Sequence, residues 1–291
     1  MSGNLVLQLI LSGLIIGTAY ALMALGLTII YGMMHVVNMA HGEFYMLAAY
    51  LMFTLYSILG INFFVSIVLT LLVSLIAGAL IERVVIRSVI GAPIVNSTLL
   101  TIGLAIFLKQ LALLIWGPMP QGIRVPFSPI PYRIGPLLIT PWQVFILFVT
   151  VGVIFISQLV IQKTKLGVAM RATFQDREAA ALAGINIPRI YMVTFVYGSA
   201  LAALGGVLLG PLFSLSLGMG SLAAIKAWAI VLLGGLASFP GAIIGGLILG
   251  VTESLGAGLL SAGWVDAYGF GVVILVLLFK PHGLLGGRRV L

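Results

Sequence analysis

Cysteine is absent from the 291 residues, which removes disulfide frameworks, thiol nucleophiles and cysteine metal sites at once. Charge is nearly as scarce. Only 7% of the chain is Asp, Glu, Lys or Arg, against about 25% in an ordinary soluble domain. Histidine occurs three times, scattered without ligand spacing, so no metal centre is expected. The chain has no Gly-Lys dipeptide, hence no G-x-x-x-x-G-K-[ST] loop to cradle ATP phosphates. No Lys or Arg precedes the first apolar run, and no small-residue cleavage site follows a short core, so insertion is expected to start with a retained first helix.

What fills the chain instead is apolar: 62% hydrophobic residues and a mean hydropathy of +1.28. That excludes a soluble enzyme and points to an integral membrane protein. The apolar runs last about twenty residues without the alternation of a β-barrel strand, so the spans are read as helices. The expected fold is all-α: one polytopic permease domain over 1–291 with about eight or nine membrane segments. Candidate spans cover 4–30, 44–59, 62–81, 94–116, 141–161, 191–213, 224–237, 242–258 and 264–279.

The net charge of +8 is a matter of topology, with no nucleic-acid partner expected. Ten of the 14 basic residues fall in three segments: Arg83 and Arg87; Lys163, Lys165, Arg171, Arg177 and Arg189; Lys280, Arg288 and Arg289. The positive-inside rule makes these cytoplasmic. An odd number of crossings then puts the N-terminus and the proline-rich loop 117–140 outside. Trp116 and Trp142 flank that loop as interfacial anchors would. The pieces 224–237 and 242–258 must together return to their starting side, as a hairpin or re-entrant pair. Glycines four apart (Gly13 and Gly17, Gly206 and Gly210, Gly241 and Gly245, Gly246 and Gly250) suit close helix contact within the chain or between subunits.

Three places break the plain spans. The first runs from Tyr31 to Glu43. Either Asn38, His41 and Glu43 line a polar conduit, or Asn38 and Glu43 cap the following helix, and the two readings are compatible. The second is 163–190, where Asp176 is a natural N-cap for a short helix near 177–183. Glu178 stands in its first turn and Gly184 stops it. Leu166, Met170 and Phe174 give an earlier short helix an apolar stripe, which suits a partner's cleft or the lipid headgroups. The third is the turn through Gly234, Gly235, Ser238, Pro240 and Gly241, either a discontinuous element of a transport route or a tight packed turn. Glu253 and Asp266, the acids an ion-coupled transporter would use, fall near span ends, where exposure or capping is the simpler expectation.

Four motifs carry a resemblance over nearly the whole chain. They are Asn38-Met39-Ala40-His41-Gly42-Glu43-Phe44; Arg171-Ala172 with Asp176-Arg177-Glu178-Ala179-Ala180 and Gly184-Ile185-Asn186; Gly234-Gly235 with Pro240-Gly241 and Gly245-Gly246; and Lys280-Pro281-His282-Gly283-Leu284-Leu285-Gly286. Together these resemble the LivH-type permeases of branched-chain amino acid ABC importers, a family that also includes permeases for urea and short-chain amides. The resemblance implies a multi-pass protein of the inner (plasma) membrane, in contact with its lipid, that moves substrate by ATP-driven alternating access. It implies two cytoplasmic ATP-binding subunits that hold ATP and Mg, a second homologous permease, and a periplasmic or extracellular solute-binding protein. This chain itself would bind no cofactor and catalyse nothing. Arg171, Asp176, Arg177, Glu178, Ala179 and Gly184 would belong to the loop that docks on an ATPase. Asn38, His41, Glu43 and Ser238 are the candidates for the substrate route. An ion-coupled secondary transporter is the rival class.

Overall fold

A computed structural model describes residues 3–127 and 130–286, so Arg288 and Arg289 of the basic tail lie outside the described residues. Eleven α-helices account for the described fold: α1 Gly3–Met34, α2 His41–Phe53, α3 Phe63–Val84, α4 Ile94–Trp116, α5 Pro141–Lys163, α6 Lys165–Gln175, α7 Arg177–Leu182, α8 Ile187–Leu209, α9 Met219–Gly234, α10 Phe239–Leu259 and α11 Val265–Phe279. Seven helical segments are long and apolar enough to cross a membrane, and α9 is a shorter apolar helix. A π-helical turn, Thr54–Ile58, prolongs α2. Each expected span therefore has its helix. The loop after α4 adds one small hairpin, β1 Tyr132–Ile134 with β2 Leu137–Ile139.

The helix starts follow local chemistry. Asn62, Thr140, Thr164, Asp176, Asn186 and Ser238 each accept a backbone N–H of the first turn that they precede. Satisfying such orphan donors is worth about 1 kcal/mol per cap. Thr140 and Gln143 complete a reciprocal capping box.

At 1.5 Å per residue α1 is about 48 Å long, well beyond a hydrocarbon core of about 30 Å. It is the central column, with every residue from Gly17 to Ile30 buried. α10 runs antiparallel along it on a seam of small residues. A Cβ on Gly17 would lie 2.8 Å from the Gly246 carbonyl oxygen, and one on Gly13 2.7 Å from the Val251 Cα. Nothing larger than hydrogen fits there. Gly206 is pressed on the Tyr45 backbone, and Gly241 on Gly234. The glycine pairs thus serve packing within the chain, where lipid leaves close approach as the source of association. α8 covers another side of α1, while α3, α4, α5 and α11 carry outward rows such as Ile76, Leu80, Leu114, Phe148 and Leu278, all exposed.

The ends of the bundle sort into two groups. Arg177 of α7 reaches over the Tyr191 ring in α8 and lies near Gly91, between α3 and α4. At the opposite end Gln8 of α1 bonds the backbone of Leu138, and Gln121 pairs with Leu215. One flanking tryptophan differs from expectation. Trp142 is buried, stacked on Phe145 and edge-on to Phe63, because the loop folds Phe127 over it. Trp116 stacks on Tyr50 and donates to Thr54. Trp142 is thus a packing element rather than an anchor in the interface.

Candidate functional site

The break at 31–43 is shorter than the sequence suggests, because α1 keeps its helix through Met34 and stops where His35 takes φ +52°. Residues 35–40 then fold back into the bundle. Thr101 of α4 receives the returning strand, its hydroxyl donating to the Val37 carbonyl and accepting the Met39 N–H. His41, the first residue of α2, donates from Nε2 to the Met23 carbonyl at 3.0 Å. Met23 lies eleven residues before the end of α1, about 16 Å along its axis. α2 therefore begins well inside the bundle, alongside the buried part of α1.

A second helix begins at the same depth. Gly42 packs directly on the Gly220 carbonyl and on Ala224, so the first turns of α2 and α9 meet. Only glycine lets the two backbones come that close. The Glu43 carboxylate sits against the start of α9, beside Gly220, and accepts the Ser221 hydroxyl at 3.5 Å. A helix N-terminus carries about half a positive charge, which favours a carboxylate there. Non-helical backbone at this depth persists only when it is buried in protein or lines a polar cavity.

Asn38, His41 and Glu43 are almost wholly buried at this junction. Each keeps one bonded polar atom and one free. Asn38 Oδ1 accepts the Ala40 N–H while Nδ2 has no partner; His41 Nδ1 and Glu43 Oε2 are likewise free. Part of the capping alternative holds beside this: the N-cap Ala40 makes no side-chain cap bond, but Glu43 stands in the first turn of α2 and Asn38 accepts the N–H of Ala40. Ser238 is elsewhere. It starts α10, where its hydroxyl accepts the Gly241 N–H, and the chain end closes over the same turn through Leu284 and Leu285 N–H bonds to Leu233 and Gly234.

The 163–190 segment holds the two short helices that the sequence suggests. In α6, Met170 is buried and Leu166 and Phe174 pack on the core, which answers its apolar stripe. Arg171 turns back to the Ile161 carbonyl near the end of α5, a favourable place for a cation. Asp176 caps α7 by accepting the Glu178 and Ala179 N–H groups, both at 2.9 Å. Gly184 takes φ +86° just past the helix, as a C-terminal stop requires. Arg177, Glu178, Ala179 and Gly184 are exposed, and Leu182 at the tip is 90% exposed. The sequence does not mark this leucine, because one apolar residue on a six-residue helix reads the same whether it packs inward or faces out.

The sequence also failed to single out Lys226. Its ammonium, in α9, lies 2.8 Å from Glu253 of α10, 2.9 Å from Asp266 of α11 and 3.2 Å from the Tyr20 hydroxyl of α1. Glu253 is therefore buried and ion-paired, contrary to the expectation of an exposed span end. Asp266 does lie in the first turn of α11, and its side chain is 48% exposed.

The family described as the permease component of branched-chain amino acid transport systems matches residues 9–279. The chain belongs to that family. Among its relatives, the high-affinity branched-chain amino acid transport permease protein BraD of Pseudomonas aeruginosa is 38% identical, over 98% of this chain and 97% of its own. The corresponding LivH of Escherichia coli K12 is 35% identical over 98% and 96%. A probable LivH of Methanocaldococcus jannaschii is 29% identical over 96% and 92%. No solved structure matches. In this permease, then, two helix starts meet inside the bundle beside three half-satisfied polar side chains, and a capped short helix stands exposed.

Proposed function

We propose that the chain is the permease subunit of an ABC importer that moves branched-chain amino acids across the inner membrane. The family match over residues 9–279 carries this reading, and the relatives that match nearly the whole chain, named as branched-chain amino acid permeases, supply the substrate class. ATP and Mg belong to two cytoplasmic partner subunits, and a second homologous permease and an external solute-binding protein complete the assembly. The N-terminus is outside and the described end of the chain is cytoplasmic.

The structure suggests how the work is delivered. α7 offers Glu178, Ala179 and Leu182 to a cleft on an ATPase subunit, while Asp176 and Gly184 fix its two ends. Arg171 and Arg177 tie the pair of short helices to α5 and α8. A push on α7 is thus passed to α8, which packs on α1 and α2. The junction of the α2 and α9 starts is the natural place for the route. Discontinuous helices of this kind put backbone charge at the midplane, where a polar solute needs partners. Asn38, His41 and Glu43 supply free hydrogen-bonding atoms there. Ser238 belongs to the frame of the route, since it holds the turn between α9 and α10.

The reading is tested by reconstituting the permease with its partners in proteoliposomes. Leucine, isoleucine and valine uptake should require ATP and ignore sodium or proton gradients. His41→Ala with Glu43→Ala should reduce it at least tenfold while the complex still assembles. Uptake of urea alone would overturn the substrate class. Gradient-driven uptake without ATP would overturn the mechanism, and full uptake by the double variant would remove the junction from the route.

A further inference from the structure

The Lys226 cluster brings together more charge than a structural ion pair needs. Four helices converge on it, and one ammonium faces two carboxylates, which leaves a formal excess of one negative charge. Tyr20 donates to Glu253 at 3.0 Å, so the Glu253 carboxylate is held from two sides. Asp266 makes one contact to the ammonium and is half exposed. The cluster has a fixed acid and a looser one.

Two cavities open beside Lys226. One, of about 210 Å³, lies between Tyr20, Tyr45, Met219 and Leu222; the other, of about 380 Å³, is walled by Leu9, Ile16, Ala257 and Val265. Tyr20, Phe213 and Lys226 border both. The larger reaches the size of small-molecule pockets, which begin at about 300 Å³. Its wall is mostly apolar; Lys226, Glu253 and Tyr20 line its polar part, and Asp266, next to the lining Val265, reaches the same ammonium. Gly250 and Gly258 of α10 also line it.

We propose that this cluster and the larger cavity bind the transported amino acid on its way to the α2–α9 junction, a site that rests on the permease reading above. The substrate ammonium is taken by Asp266 and Glu253, its carboxylate by Lys226, and its aliphatic side chain by Leu9, Ile16, Ala257 and Val265. The exchange suits a buried site because a zwitterion brings one charge of each sign and leaves the net charge unaltered. Each group that gives up a partner gains another, so no charge is left unpaired at a depth where that is costly. Asp266 moves and Glu253 stays.

Two variants of the reconstituted complex test the site. Lys226→Gln with Glu253→Gln removes both fixed charges together but keeps hydrogen-bonding groups. Leucine uptake should fall at least tenfold, while assembly and ATPase stimulation by the loaded binding protein persist. Ala257→Leu narrows the apolar wall without touching the charges. It should shift the preference from leucine toward alanine by about tenfold or more, the scale at which pockets sense added methylenes. A purely structural cluster predicts no such shift. Near-normal leucine uptake by the first variant, or equal loss of leucine and alanine uptake in the second, overturns the proposal. If the first variant does not assemble, the second alone decides. A wild-type complex that moves no amino acid fails in a different arm: it overturns the substrate reading, and this site falls with it.

Discussion

Lys226 shows how much one residue can commit in a membrane interior. An uncompensated charge there is costly, and an ion pair persists because each partner removes the other's desolvation penalty. Removing one partner should therefore harm more than removing both sides of a pair. Lys226→Met leaves Glu253 facing Asp266 and Tyr20, and should destabilise the permease by about 3–5 kcal/mol. Lys226→Met with Glu253→Leu should recover most of that loss. Thermal unfolding in detergent, followed by the loss of monodisperse protein, reads both; equal stability of the single variant and the wild type would show that the pair does not form. Lys226 was hard to find in the sequence for a physical reason. Its acid partner lies 27 positions away on another helix, and an apolar run with one lysine looks the same whether that lysine is paired or snorkels toward water.

Elements were far more legible, because what starts and stops a helix is local. Asp176 and Gly184 bracket α7 by chemistry that needs no neighbours, and the apolar runs of about twenty residues mark the spans. The depth of α2 was not legible. It depends on the contact of Gly42 with Gly220, residues separated by most of the chain, and on α1 continuing through Tyr31–Met34, where the sequence pattern places a break. The antiparallel α1–α10 seam stands between these cases, since glycine spacing announced a close contact but not its partner. Gly17 is its tightest test. Gly17→Leu must push α10 away from α1 along the buried column, and overpacking of that kind costs about 1–3 kcal/mol or more. The variant should lose monodispersity and become sensitive to proteases within the bundle, with membrane insertion retained. Unaltered behaviour would mean that the seam is loose.

At the scale of the whole molecule, the two groups of bundle ends give the permease a working side and a receiving side. Ten of 14 basic residues belong to the segments assigned to the cytoplasm, and Arg177 lies among them. The chain has no native cysteine, so Arg177→Cys gives a single label site. An impermeant thiol reagent should reach it only from the cytoplasmic face, and labelling from outside would invert the orientation. The central claim is that ATP-driven work enters through α7 and moves substrate through the bundle. Its most direct measurement is leucine uptake by proteoliposomes that hold the full complex, wild type against Leu182→Asp. The wild type should accumulate leucine only with ATP on the ATPase side, and the variant, inserted and folded, should lose nearly all uptake because a charge replaces the apolar tip that docks. Leucine accumulation by Leu182→Asp at the wild-type rate would contradict the account.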